Sequence, residues 1–318
     1  MKIAVTGSAG FIGSNLVDAC LACEWDVVGI DNLSTGFDDM ADPIRVAHLP
    51  GHYMFAKMDI NDTDLLAQRF DNCEVVFHLA ALPRVSFSID HPLEADYANV
   101  HGTLSVLEAA RKAGVKRVVF SSSSSVYGGM CDFPTKEDSI PHPMSPYALH
   151  KLTCEHYMRL YSKLHGLDTV CLRYFNVTGQ YQRAGSAYAT LIPILMEKAI
   201  KDEVCIINGD GEISRDFCPV ENVVQANLLA ANYSDKLDGA IFNVACGKYT
   251  TINEVYDRIC KLAGKTIQKR HGPYRLGDPL KSLADITKSQ TVLGYKPVIT
   301  LDESLQKTWA WWKERYHI

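Results

Sequence analysis

The sequence predicts a doubly wound α/β fold: a parallel sheet with helices on both faces, followed by a smaller carboxyl-terminal α/β lobe. Three observations predict it. Short β-branched runs alternate with helical patterns through the first half, a glycine-rich turn separates the first such pair, and an aspartate closes the second strand. Strand–helix alternation at this spacing makes βαβ units, and βαβ units make a parallel sheet.

The first strand spans Lys2 to Thr6 and runs into Gly7, Gly10 and Gly13 of TGSAGFIGSN, where a helix opens at Phe11 and Ile12. Glycines here permit a tight turn, bring backbone close to a pyrophosphate and let helix pack on strand, while the helix amino end favours negative charge. The second strand, Asp26 to Ile30, delivers Asp31. A carboxylate at that point accepts both hydroxyls of an adenosine ribose and repels a 2′-phosphate, so the expected cofactor is NAD rather than NADP. The third strand, Tyr53 to Met58, ends at Asp59, which either accepts a hydrogen bond from adenine or caps the following segment. The fourth, Val75 to Leu79, carries His78, expected to be a satisfied core histidine, and leads into the small residues Ala80 and Ala81.

Strands Arg117 to Ser121 and Asp168 to Leu172 follow, with helices at Val100 to Ala113 and Pro146 to His165. The run Ser121 to Ser125 sits at the carboxyl end of an apolar strand, where open α/β sheets place their ligands. Tyr147 and Lys151 are four residues apart on one helix and so share a face. An ammonium beside a phenol lowers its pKa and makes a tyrosinate base available near neutral pH, and a serine hydroxyl from the strand end completes such a site.

After Asn176 the rhythm becomes irregular. Helices are expected at Leu191 to Lys201, Val220 to Asn232, Ile252 to Leu262 and Leu301 to Tyr316, with short strands near Glu203 to Ile207 and Ala240 to Val244. The expected division is a dinucleotide-binding domain over 1–175 and a second lobe over 176–318, with a discontinuous boundary where elements return to the first sheet.

Composition excludes several classes. A hydrophobic fraction of 47% against 22% charged residues argues for a globular chain rather than a disordered one. The net charge of −5 recruits neither nucleic acid nor an acidic membrane, so an anionic substrate needs a local cluster of cations. No apolar run reaches membrane-spanning length and Met1-Lys2 leads straight into a strand, so a cytoplasmic location is expected. Cys20 and Cys23 form the only C-x-x-C among ten cysteines and fall in the first helix with no second pair nearby, so no metal site is expected.

With these motifs in order, the chain resembles the extended short-chain dehydrogenases/reductases of Rossmann type, and within them the UDP-galactose/UDP-N-acetylgalactosamine 4-epimerase-like group, over nearly its whole length. YALHK from Tyr147 to Lys151 matches the family's Y-x-x-x-K helix, and Ser123, ahead of Val126-Tyr127-Gly128, matches its catalytic serine. The resemblance implies a cofactor set of Gly7, Gly10, Phe11, Ile12, Gly13, Asp31, Asn32, Ser34, Gly36, Asp59, Ile60, Leu79, Ala80, Ala81, Asn99, Ser122, Tyr147, Lys151 and Tyr174. It implies substrate contacts from Ser123, Ser124, Tyr147, Asn176 of RYFNVTG, Arg215 of INGDGEISRDF, and Arg275 and Asp278 of RLGDPLKSLAD. Two guanidiniums on one diphosphate supply the cations that the net charge lacks. Seven positions beyond Arg275, Ser282 matches a gate beside the hexose C2 substituent, where a small residue admits an N-acetyl group; the alternative is a surface serine.

One stretch departs from the family. After Asn176 its members continue with an aromatic residue and G-P/R-R-Q, whereas this chain has Thr178-Gly179-Gln180-Tyr181-Gln182. The departure bears on substrate identity and leaves Ser123, Tyr147 and Lys151 untouched. The resemblance implies 4-epimerisation of a UDP-hexose through a 4-keto sugar, with UDP-GlcNAc/UDP-GalNAc expected, UDP-Glc/UDP-Gal also admitted, and a homodimer. Sugar-nucleotide 4,6-dehydratases carry an Asp-Glu pair where this chain has Ser124 and Ser125, which disfavours dehydration. A UDP-glucuronate 4-epimerase or decarboxylase is the alternative, and a non-catalytic NAD-binding regulatory or RNA-binding module is the reading from a different class.

Overall fold

The computed structural model describes residues 1–129, 131–184, 190–274 and 281–316. Seven strands form one sheet: β1 (Lys2–Thr6), β2 (Asp26–Asp31), β3 (Tyr53–Lys57), β4 (Val75–His78), β5 (Arg117–Ser123), β6 (Asp168–Tyr174) and β7 (Ala240–Val244). Their spatial order is β7-β6-β5-β4-β1-β2-β3, and every pairing is parallel. The chain builds outward from β1 to β3, then crosses back to β4 and builds the other way. Between β1 and β4 the crossovers diverge, which opens a crevice at the carboxyl ends of the strands.

The principal helices are α1 (Phe11–Ala22), α2 (Thr63–Arg69), α3 (Gly102–Ala113), α4 (Pro146–His165), α5 (Leu191–Lys201), α6 (Val220–Asn232), α7 (Ile252–Ala263) and α8 (Leu301–Tyr316). On one face of the sheet Leu16, Val17 and Cys20 of α1 share a core with Val223, Ala226 and Ala230 of α6. On the other, Leu66 of α2, Val106 and Leu107 of α3 and Met158 of α4 form a second core. A third core joins Leu195 of α5, Val255 and Ile259 of α7 and Trp312 of α8 with Ile207. Ile207 lies in a two-stranded parallel ladder of Cys205–Asn208 with Lys269–Gly272.

The chain leaves the large sheet after β6 and comes back in α6 and β7, where Ala240 to Val244 pair with Val170 to Tyr174. A single cut after residue 175 therefore does not separate the cores. Several boundaries also move by one or two residues. β5 continues to Ser123 because Ser122 and Ser123 pair with Arg173 and Tyr174, so the neighbouring strand supplies hydrogen bonds that serine propensity does not predict. A π turn over Tyr97–His101 precedes α3, which begins at Gly102 rather than Val100.

The helix that carries Tyr147 and Lys151 has clear local causes. Ser145 accepts the Ala148 N–H at 3.2 Å as N-cap, Pro146 occupies the first turn, and Gly166 ends the helix in the left-handed region at φ +68°. Among the described residues no helix is long and apolar enough to cross a membrane.

Candidate active site

The glycine turn is fixed by close approach. Gly7 has φ +73° and donates to Ile30 O at 2.7 Å; a Cβ there would lie 2.7 Å from Ala80 N, and one at Gly13 would lie 2.0 Å from Gly7 O. Gly10 is the N-cap of α1 and offers no side-chain cap, so the first amides of the helix, from Phe11, Ile12 and Gly13, open on the turn with the positive end of the helix dipole behind them.

Asp31 lies beside this turn and accepts the Ala9 N–H at 3.1 Å and the Leu33 N–H at 2.8 Å, one on each oxygen. Burial raises its pKa and these two bonds oppose the rise. Each oxygen keeps acceptor capacity for a ribose hydroxyl. Gly36 passes so near that a Cβ would meet Asp31 Oδ1 at 2.8 Å. Asn32 bridges to Asp59 at 2.9 Å and accepts the Ser34 N–H at 3.0 Å. Asp59 also accepts the Asn61 N–H at 2.9 Å, so it forms a local turn while staying exposed. Ile60 turns its side chain into the α2/α3 core, Leu79 packs against the α1/α6 core, the Ala80 backbone lies against Gly7, and Ala81 is half-buried. An uncapped helix end, a glycine cradle and a carboxylate at the next strand end fit a dinucleotide. Among the described residues no group of three or more His, Cys, Asp or Glu could hold a metal ion.

Ser123, Tyr147 and Lys151 converge at the carboxyl end of β5. Ser123 Oγ accepts the Ser125 N–H at 3.1 Å and hydrogen-bonds the Tyr147 phenol. The Tyr147 amide donates to Ser88 Oγ at 3.0 Å, which pins the segment Val85–Asp90 to the first turn of α4. Lys151 Nζ donates to Ser121 O at 2.6 Å and lies 4.7 Å from the Phe120 ring centroid and 5.9 Å from that of Tyr147. Burial pushes the phenol up to about 12, against the Ser123 bond and the charge of Arg84. The same burial brings the lysine down to about 8. Desolvation thus outweighs the expected depression of the phenol, and the cation that opposes it is Arg84 rather than Lys151.

Several of the expected cofactor residues have partners within the protein. Ser122 is adjacent to Ser123 but points to the other face of the sheet, as strand alternation requires. Its hydroxyl donates to Glu155 at 2.5 Å, and Glu155 takes a bidentate pair from Arg173 at 2.8 and 2.7 Å, so the side chain belongs to a buried ionic network. Asn99 clamps the backbone of Leu82 through both ends of its amide, at 2.7 and 3.2 Å, and so shapes the pocket wall. The Tyr174 hydroxyl is buried against the Asn227 amide at 2.8 Å. His78 is the satisfied core histidine expected: Thr6 and Thr103 hydroxyls meet its two nitrogens at 2.8 and 2.9 Å, and burial lowers its pKa to about 3.

On the substrate side Asn176, with φ +28°, donates to Ser282 Oγ and to Asp216 O, each at 3.2 Å. Ser282 is half-buried. Arg215 stands next to Asp216 on the short strand Ser214–Arg215, paired with Thr250–Thr251, and Ser124 opens the turn Ser124–Tyr127. Arg275 and Asp278 lie outside the described residues. Sequence reasoning missed Asp216. Its buried carboxylate accepts the N–H groups of Cys246, Gly247 and Ala284 at 2.9, 3.1 and 3.2 Å, and burial raises its pKa to about 6 against those bonds. It missed Arg84 too, whose charge acts on Tyr147.

Comparison with known proteins follows the same lines. The model of the NAD dependent epimerase/dehydratase family matches residues 3–245. The UDP-glucose 4-epimerase of Mycolicibacterium smegmatis is 39% identical over 311 residues, 97% of each chain. The structure of a UDP-N-acetylglucosamine 4-epimerase from Methanobrevibacter ruminantium, in complex with UDP-N-acetylmuramic acid, superposes with a TM-score of 0.91 at 37% identity, covering 99% of this chain and 98% of that one. A UDP-glucuronic acid 4-epimerase from Bacillus cereus, in complex with UDP-glucuronic acid and NAD, gives 0.91 at 32% identity, covering 99% of this chain and all of that one.

Proposed function

This chain belongs to the NAD-dependent epimerase/dehydratase family, and from that membership we propose that it is a UDP-sugar 4-epimerase whose preferred pair is UDP-GlcNAc and UDP-GalNAc. The 4-epimerase reading rests on the Ser123–Tyr147–Lys151 constellation at the carboxyl end of β5, beside the glycine cradle. Whole-length likeness to 4-epimerases supports it.

Bound in its oxidised form, NAD supplies the hydride acceptor for the sugar C4–H and a positive charge that favours the phenolate of Tyr147. Tyr147 takes the O4 proton and later returns it. Ser123 hydrogen-bonds O4 and holds it in line with the phenol. Lys151, fixed by Ser121 O, carries its charge beside the phenol ring. Asn176 and Arg215 would hold the diphosphate, the linkage about which the sugar can turn to present either face of C4. The remote grip supplies the orientation that makes each transfer effectively unimolecular.

Substrate preference rests on Ser282, a small, half-buried residue bonded to Asn176 at the position where the resemblance puts the gate beside the sugar C2 substituent. The experiment is product analysis after separate incubation with UDP-GlcNAc, UDP-Glc and UDP-glucuronate. Interconversion of the acetylated pair is expected. Turnover of UDP-glucuronate alone would overturn the preference while leaving the 4-epimerase reading intact.

The uronate reading has one specific observation behind it. Arg84 brings a guanidinium into range of Tyr147, and C6 of the sugar is two bonds from the reacting C4, so a C6 carboxylate falls within reach of the same cation.

A further inference from the structure

The stretch that departs from the family pattern is a strap across the cofactor half of the molecule. Gln180 O accepts from Asn15 Nδ2 of α1 at 3.0 Å, and the Tyr181 hydroxyl donates to Asp18 of α1 at 3.0 Å. Asp18 is paired with Arg45 at 2.7 Å. Two residues on, Arg183 Nη2 meets Asp39 Oδ2 at 2.5 Å while its guanidinium carbon lies 3.7 Å from the centroid of the Phe37 ring. Asp39 also receives Arg315 of α8 at 3.3 Å.

These contacts fall on the loop that carries the adenosine end of the site. Phe37 N–H donates to Ala9 O at 3.1 Å, and Ala9 N–H donates to Asp31. Ala9, Met40 and Ala41 are buried together, with Leu33, Phe37 and Tyr181 packed over them. The loop after β2 is therefore laid across the glycine turn and fastened there from outside by a residue that follows Asn176 on the chain.

We propose that Arg183, by holding Asp39 and Phe37, is the latch that sets how fast NAD leaves the enzyme. Releasing the dinucleotide requires the loop after β2 to lift from Ala9, and lifting it breaks the ion pair and the guanidinium–aromatic contact together. The Asp39 side chain is half exposed, so the latch is screened by salt and is modest in strength, which suits a device that opens. The inference depends on NAD binding and not on which sugar is turned over.

The test measures NAD release from holoenzyme into excess alcohol dehydrogenase and ethanol, read as reduced nicotinamide absorbance. Arg183→Met and Asp39→Asn are each expected to release NAD about tenfold faster than wild type, through the dissociation rate. The acceleration in the double variant should fall well short of the product of the two single effects, because both changes remove the same ion pair. Raising salt from about 0.05 to about 0.5 M should speed wild type and leave Asp39→Asn, which lacks both ion pairs, nearly unchanged. With saturating NAD, kcat and thermal midpoint stay at wild-type values; Arg183→Lys, which keeps the charge and loses the planar contact, should fall between. Wild-type release rates in both single variants would overturn the proposal, and so would effects that multiply in the double variant.

Discussion

Asn176 and Ser282, 106 positions apart in sequence, meet at 3.2 Å, amide nitrogen to hydroxyl oxygen. The contact joins the residue expected to hold the diphosphate to the one expected to gate the sugar. Two distant chain segments are thereby brought together, and Asp216 bonds to both, through its carbonyl to Asn176 and its carboxylate to Ala284.

Asp216 gives the first prediction. Its carboxylate is the common acceptor for the Cys246–Gly247 loop and for Ala284, two residues beyond Ser282. Hydrogen bonds to a charged group contribute about 1.5–3 kcal/mol each, so Asp216→Asn should raise KM for the UDP-sugar by roughly tenfold or more while NAD content is retained. With a folded pKa raised to about 6, the group is ionised above that pH and protonated below it, so wild-type KM should rise as pH falls through about 6. The diphosphate diester of the substrate does not titrate there, and the variant should lack this limb. Equal KM in variant and wild type would remove the positioning role.

The second prediction separates base from cation. Tyr147→Phe should keep NAD and UDP-sugar binding and lose about 10²-fold or more in kcat. Lys151, brought down to about 8 from the usual lysine value, loses its charge as pH rises through about 8. The rate should therefore fall on the alkaline side from about that pH, and Lys151→Arg should move this limb upward. A kcat for Tyr147→Phe equal to wild type would sink the assignment, and an unmoved alkaline limb would show that another group titrates.

Much of the site is legible in the sequence, for local reasons. The helix Pro146–His165 carries its own start and stop in Ser145, Pro146 and Gly166, so the four-residue spacing alone puts Tyr147 and Lys151 on one face. Gly7 and Gly13 are legible because nothing larger fits against Ala80 and Gly7. What is not legible depends on distant partners. Ser122 answers to Glu155 and Arg173, Asp216 to loops 30 and 68 positions away, and Arg183 to Asp39 across 144. Each is a polar group whose role is set by what the fold brings near it.

Asp31 gives the third prediction. Its contacts lie at the glycine turn and the loop after β2, away from Asn176 and Arg215. Asp31→Ala should weaken NAD well beyond any effect on UDP-sugar, measured by calorimetry on each ligand. Equal losses for both would point to a general structural defect.

A homodimer is the fourth expectation. Leu149, Leu160 and Leu164 of α4 are 52%, 47% and 66% exposed, and Leu93 and Tyr97 nearby are 86% and 57% exposed. The three α4 leucines recur at helical spacing on one face, an arrangement suited to a symmetric interface. Light scattering at micromolar concentration should give about twice the chain's mass, and Leu160→Glu should shift it toward one. A wild-type mass of one chain would refute it.

The last prediction concerns Ser282 and needs two variants, because the hydroxyl bonds Asn176 as well as leaving space. Ser282→Tyr fills the volume beside the sugar and breaks the bond to Asn176; Ser282→Ala breaks the bond and leaves the volume open. If the small side chain is what admits an acetamido group, Ser282→Tyr should lower turnover of UDP-GlcNAc by at least about tenfold relative to UDP-Glc, since overfilling a packed pocket costs about 1–3 kcal/mol. Ser282→Ala should weaken both substrates alike, through a loosened Asn176, and leave their ratio unchanged. Exclusion by size is one-sided: an open pocket accepts the smaller sugar without rejecting it, so wild type should turn over UDP-Glc as well. A ratio unchanged in the tyrosine variant would mean that Ser282 lies off the path of the C2 substituent and acts only through Asn176. A ratio altered equally by alanine and tyrosine would assign the selectivity to the hydrogen bond rather than to volume.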